Sequence, residues 1–121
     1  MANPFVHIEL QTRDIAKAKD FYGRLFDWKL DDLPAPGGGS YTMINVGVGT
    51  GGGMFANPDP KVPPHWLAYV GVDDIVASTN KARELGATVV RDVMEVGDYG
   101  WMSVIVDPTG AALAMWKPKQ A

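Results

Sequence analysis

A chain of 121 residues, 46% hydrophobic and 21% charged, has the make-up of one globular domain, large enough for a core and small for two independent ones. Its net charge of −3 and isoelectric point near 5.2 argue against sequence-independent nucleic-acid binding, which needs a basic face. Cysteine is absent, which excludes disulfides, thiolate metal sites and cysteine nucleophiles. The opening Met1-Ala2-Asn3-Pro4 and the lack of a long apolar run predict a cytoplasmic protein with no membrane partner.

Phe5 to Gln11 alternates, with Val6, Ile8 and Leu10 on one face and His7, Glu9 and Gln11 on the other, the period of a strand with one face on a core. Asp14 is a good N-cap, and Ile15, Ala18, Tyr22, Leu25 and Phe26 follow at helical spacing, with Lys17, Lys19, Asp20 and Arg24 on a solvated face. Trp28 to Asp31 reads as a short strand that the breakers Pro34-Ala35-Pro36-Gly37-Gly38-Gly39 end. Strands over Tyr41–Val46 and Gly52–Ala56 follow. Four prolines between Asn57 and Pro64 then predict a stiff, extended spacer.

Beyond the spacer the pattern starts again. His65 to Val72 is a strand, and Asp74 caps a helix carrying Ile75, Thr79, Ala82 and Leu85, with Gly86 as its stop. Three strands complete the chain, over Ala87–Val93, Gly100–Val106 and Ala111–Lys117, the last two joined by the turn Asp107-Pro108-Thr109-Gly110. At an offset of 60 residues, Asp14-Ile15 falls on Asp74-Ile75, and Pro4, Leu25, Asp32, Gly37, Val46 and Pro58 fall on identical residues. The recurring element order is an internal repeat. The expected fold is α+β: a single domain, 1–121, of two βαβββ modules (1–56 and 65–121, linker 57–64), helices outside and a U-shaped cleft inside.

Taken in order, His7-Ile8-Glu9-Leu10, Phe21-Tyr22-Gly23, Leu25-Phe26-Asp27-Trp28, Val72-Asp73-Asp74-Ile75, Leu85-Gly86-Ala87 and Asp107-Pro108-Thr109-Gly110 give the chain a family likeness. It resembles the vicinal oxygen chelate superfamily of glyoxalase I, extradiol dioxygenases and bleomycin-resistance proteins, and more narrowly its glyoxalase-related proteins with a Pro-Pro-His-Trp linker exit. The resemblance implies metal positions on the first and last strand of each module, which here are His7, Leu67, Met54 and Ala114. Only His7 can ligate a divalent metal of that class, so no metal or other cofactor is expected.

His7 and Glu9 are the candidate catalytic pair, a general base with its partner, or equally a structural ion pair. Alternation and the repeat put Tyr41, Met43, Asn45, Met54, Tyr69, Trp101 and Trp116 on the same lining as candidate ligand-binding residues, with packing between modules as the competing role for the aromatics. Trp28 and Trp66 read as core, and His65 as a strand-entry residue. The glycine runs at 37–39 and 49–53 lack the Lys and Ser/Thr of a phosphate loop. The expected function is metal-independent binding of a small apolar or aromatic molecule in the inter-module cleft of a homodimer. Three other readings stand beside it: a lyase, isomerase or oxygenase using His7 or Glu9 as base, a metal-dependent glyoxalase-type enzyme with atypical ligands, or a subunit whose open face is a protein interface.

Overall fold

The computed structural model describes residues 2–35 and 38–119. Pro36 and Gly37, assigned from sequence to a breaker loop, lie outside the described residues. In chain order the elements are β1 (Phe5–Thr12), α1 (Ile15–Leu25), β2 (Lys29–Pro34), β3 (Ser40–Asn45), β4 (Gly52–Ala56), β5 (His65–Gly71), α2 (Ile75–Glu84), β6 (Thr88–Val96), β7 (Gly100–Val106) and β8 (Ala112–Pro118). The βαβββ order therefore occurs twice, as the repeat predicts. The chain is α+β and packs as two compact units, residues 7–67 and residues 1–6 with 68–121.

In the unit of residues 7–67 the strands run in the order β2-β3-β4-β1. The pair β1/β4 is parallel, with Leu10 opposite Met54, and the other pairs are antiparallel. Helix α1 starts where the Asp14 carboxylate accepts from the Lys17 N–H at 3.0 Å. Its apolar stripe, Ile15, Ala18 and Tyr22, covers a core of Leu10, Ile44 and Met54, flanked by Trp28 and Leu30. Side chains alternate across a strand. Leu10, Thr42, Ile44 and Met54 thus face α1, and His7, Glu9, Gln11, Tyr41, Met43, Asn45, Gly53 and Phe55 face away. Glycines let β4 approach: a Cβ on Gly52 would lie 1.9 Å from the Ile8 carbonyl oxygen, and one on Gly51 would lie 2.9 Å from that of Ile44.

The second unit repeats the order as β5-β8-β7-β6, with β5 and β8 parallel. Asp74 caps α2 by accepting from the Ala77 N–H at 3.0 Å, and Gly86, at φ +100°, ends it. Ile75 of α2 packs on Ile105 and Met115 of the sheet. One buried polar contact joins the helix to the sheet: the Thr79 hydroxyl donates to the Ile75 carbonyl and, with the Ser103 hydroxyl 2.9 Å away, leaves neither group unpaired. The turn 107–110 closes with the Gly110 N–H on the Asp107 carbonyl at 3.0 Å. The Asp107 carboxylate accepts from the Thr109 hydroxyl and from the Thr109 and Ala111 N–H groups, which hold its pKa below the usual carboxylate range.

Strand register exposes one slip in the repeat. Leu10 and Val70 are equivalent at 70 − 10 = 60, but their β-partners Met54 and Met115 are equivalent at 115 − 54 = 61. Thr42 and Ser103, opposite those methionines, also differ by 61. The extra residue enters between Asp74 and Ser103, the stretch that contains the bulges of β6 near Arg91. A bulge adds one residue to a strand, and a one-residue slip exchanges its faces.

Two helix caps with equal geometry give a direct test. Asp14→Ala should lower stability by about 1 kcal/mol, measured as a shift in the urea midpoint at constant slope. Gly52→Ala should cost more, because its clash is with backbone, and a variant as stable as the parent would contradict the close β1–β4 approach.

Candidate functional site

The face of β1, β3 and β4 turned away from α1 carries a continuous chain of hydrogen bonds. The His7 Nε2 lies 2.8 Å from the Tyr41 Oη, and that phenol donates to the Glu9 Oε2 at 2.8 Å. Gln11 Nε2 donates to the other carboxylate oxygen of Glu9 at 3.0 Å. The Asn57 Nδ2 donates to the Gln11 Oε1 at 2.8 Å, and the Asn57 Oδ1 accepts from the Asp59 N–H at 2.9 Å. Glu9, only 7% exposed, thus has both oxygens satisfied, which a buried carboxylate requires.

Register explains how Tyr41 reaches this position. Glu9 stands opposite Gly53 on β4, and Gly53 stands opposite Met43 on β3. A Cβ on Gly53 would lie 2.1 Å from the Tyr41 Oη. The missing side chain is therefore the space that the phenol ring occupies. The ring also stacks on His7, with centroids 6.2 Å apart. Burial lowers the pKa of the His7 imidazole, and the Glu9 charge opposes that shift.

The expected site residues divide as follows. His7, Glu9 and Tyr41 meet directly, and Met43 and Asn45 share their face, the Asn45 side chain accepting from the Gly47 N–H at 2.9 Å. In the second unit Tyr69 is buried opposite Ala114, and Trp116 lies opposite Gly71 and Met102, on the face away from α2. Met54 and Trp101 require correction. Met54 is buried in the core under α1. Trp101 has the parity of Ser103 and Ile105, packs against the core under α2, and carries the Lys119 ammonium over its ring at 5.4 Å. The cause for Trp101 is the register slip: the residue equivalent to Tyr41 is Met102, not Trp101. Met54 follows from its pairing with Leu10, which sends both side chains toward the helix.

Gln11 and Asn57 were not among the site residues expected from sequence. The alternation that placed Gln11 on the face of His7 and Glu9 was the available signal, whereas Asn57 sits in the proline spacer and gives none. On the opposite face, Ile8, Trp28, Ile44, Val46, Gly51, Gly52 and Trp66 line an apolar pocket of about 250 Å³. Trp66, expected in the core, is half-exposed there.

The metal positions implied by the family likeness carry few donors. Leu67, Met54 and Ala114 offer no hard ligand, and the register puts Gly53, not Met54, on the face of His7. Among the described residues no three His, Cys, Asp or Glu side chains gather closely enough to hold a metal ion. The described residues do not fit such a centre.

The sequence profile of the Glyoxalase/Bleomycin resistance protein/Dioxygenase superfamily matches residues 5–115. The chain belongs to this superfamily. It is 40% identical over 114 residues, 91% of its length, to the "Putative glyoxylase CFP32" of Mycobacterium bovis. It is 30% identical over 127 aligned positions, 90% of its length, to the anthracycline biosynthesis protein DnrV of Streptomyces peucetius. The chain spans 44% and 45% of these relatives. Among solved structures, methylmalonyl-CoA epimerase from Mycobacterium tuberculosis superposes with a TM-score of 0.69 at 16% identity, over 94% of this chain and 87% of that one. A hypothetical protein, BH1468 from Bacillus halodurans, reaches 0.71 at 16% identity, over 100% and 98%. At such identities these structures establish the fold.

The lowered pKa of His7 fixes the sign of a pH effect. An imidazole that resists protonation when folded binds its proton more readily when unfolded, so stability falls as pH drops below histidine's ordinary value of about 6.5. Histidine NMR titration should give a His7 midpoint below that value, and His7→Gln should flatten the stability profile between pH 7 and 5. A midpoint above it would contradict the burial. Gly53→Ala should displace the Tyr41 ring and raise the His7 midpoint toward the ordinary value.

Proposed function

We propose that this chain is a metal-independent member of its superfamily that binds a small, largely apolar or aromatic molecule over the His7–Tyr41–Glu9 face. The observation that carries the reading is the setting of the triad. Three hydrogen-bonded groups share one sheet face with exposed Met43 and Phe55 (36% and 39%). Apolar area with few convergent polar groups is the composition of a small-molecule site. The relative named for anthracycline biosynthesis, at 30% identity, supports a planar aromatic ligand.

A second reading rests on the same triad. A base-competent imidazole stacked on a phenol that is bonded to a carboxylate can move a proton, as a lyase, isomerase or oxygenase requires. The relative named as a glyoxylase supports this enzymatic class. The two readings differ in what becomes of the ligand: a binder releases it unchanged, and an enzyme turns it over.

Calorimetric titration with a dihydroxyanthraquinone separates them. The expected result is saturable binding, unaffected by EDTA and weakened about 5–30-fold by Tyr41→Phe and by Met43→Ala, on the order of 1–2 kcal/mol each. Equal affinity in both variants would sink the proposed site. Binding lost to EDTA and restored by zinc or nickel would sink metal independence, and new product that disappears with His7→Ala would select the enzyme.

The setting proposed for the chain is a cytoplasmic homodimer. Phe21, Leu25, Phe26 and Trp66 are all exposed, and Phe21, Phe26 and Trp66 each contact Tyr22 or Trp28. Clustered exposed apolar groups of this kind mark interaction surfaces. Light scattering should report twice the chain mass, and Phe21→Glu should halve it. A monomer at 100-fold above assay concentration would overturn the dimer.

A further inference from the structure

The glycines that let β4 approach β1 leave a hollow on the side of the sheet that faces α1. Gly51 and Gly52 form its floor, and neither has room for a side chain: a Cβ would lie 2.9 Å from the Ile44 carbonyl oxygen at Gly51 and 1.9 Å from that of Ile8 at Gly52. The floor's backbone is committed to the sheet. The Ile8 N–H donates to the Gly51 carbonyl at 3.1 Å, and Gly52 stands between Ile8 on one strand and Ile44 on another. Trp28 and Trp66 wall the hollow, their rings 6.3 Å apart and inclined at 77°. Its volume is about 250 Å³. Well-packed interiors leave few voids larger than one water, whose share of liquid volume is ~30 Å³.

The geometry points to this pocket as a second binding site, for an uncharged aromatic molecule of one or two fused rings. The lining excludes charge. None of its residues is titratable, and apart from the Thr50 hydroxyl and the two indole N–H groups every lining side chain is hydrocarbon. Such a surface offers water few polar partners and favours an apolar guest. The walls select a ring. Two indoles set near a right angle present a planar guest with one face to stack on and one to meet edge-on, the two arrangements that aromatic pairs prefer. Volume sets the size: an apolar cavity of about 150 Å³ takes benzene, so this larger one admits a second fused ring. Trp66 is 39% exposed, which leaves one wall at the entrance. The pocket is separate from the His7–Tyr41–Glu9 face, because alternation sends Ile8 and Ile44 to the other side of the sheet. It does not depend on the function proposed for that face.

Titration of the ¹⁵N-labelled full-length protein with naphthalene, followed through the indole N–H signals, tests the site. Trp28 and Trp66 should shift saturably, while Trp101 and Trp116, which line no part of the pocket, should not. Val46→Phe places a ring in the hollow and should abolish the shifts. Trp66→Ala removes one wall and should weaken binding about tenfold. Tyr41→Phe and Met43→Ala, on the opposite face, should leave the affinity unchanged. Absence of a saturable shift, or equal shifts of all four indoles, would overturn the proposal. So would unchanged affinity in whichever of Val46→Phe and Trp66→Ala retains the parent's circular dichroism. Shifts of Trp28 and Trp66 that follow protein concentration and not naphthalene would assign the pocket to a second copy and overturn it likewise. Binding lost in Phe21→Glu would seat the guest between copies and overturn a site within one chain. Failure of the anthraquinone titration with naphthalene binding intact would reject the reading of the polar face and leave this pocket standing.

Discussion

The parallel pairing of β1 with β4 is the constraint on which the site depends. It can form only because β4 enters as Gly51-Gly52-Gly53, where the chains come closer than a side chain allows: a Cβ on Gly52 would sit 1.9 Å from the Ile8 carbonyl oxygen. One consequence is structural. Leu10 and Met54 are set side by side beneath α1, which completes the core of that unit. The other is chemical. The same register places Gly53 opposite Glu9, and the absence of a side chain there admits the Tyr41 ring between His7 and Glu9. A glycine run that looks like a flexible loop in sequence is a packing requirement of the sheet.

The gain from that packing is electrostatic as well as steric. Glu9 is nearly excluded from solvent, and a buried carboxylate without partners would cost several kcal/mol. Tyr41 and Gln11 supply one donor to each oxygen. Burial of His7 lowers its pKa, so the imidazole is neutral at pH 7, while the Glu9 charge limits the shift. A neutral imidazole bonded to a phenol fixed on a carboxylate can accept a proton and disperse the resulting charge toward Glu9. The sheet register and the hydrogen bonds from Tyr41 and Gln11 orient these groups.

Much of this was legible in the residues. Asp14 and Asp74 announced both helices, alternation in β1 placed His7 and Glu9 on one face, and Gly100–Val106 came through with its boundaries intact. What misled was the assumption of a constant offset. Counting 60 residues maps Tyr41 onto Trp101, whereas pairing shows that β3 and β7 are related by 61, so Trp101 falls under α2. A bulge leaves almost no mark on hydrophobic periodicity, because exposed β6 residues such as Arg91 and Asp92 do not report which face they occupy. Asn57 was invisible for a different reason: hydrogen-bond direction belongs to geometry, and a lone asparagine before a proline reads as turn chemistry.

With the offset corrected, the two halves of the repeat differ in kind. The equivalents of His7 and Glu9 are Leu67 and Tyr69, those of Tyr41 and Met43 are Met102 and Val104, and those of Gly53 and Phe55 are Ala114 and Trp116. The polar triad has no counterpart: where the first half has an imidazole, a carboxylate and a phenol in contact, the second has leucine, tyrosine and methionine. Ala114 at the place of Gly53 fits this difference, since its Cβ occupies space that in the first half belongs to the Tyr41 ring. Gly53 and Tyr41 are therefore mutually dependent, and neither would be useful without the other. A substitution at either one reaches His7 and Glu9 through contact. Among the described residues, the imidazole, phenol and carboxylate in mutual contact all belong to the first half of the repeat.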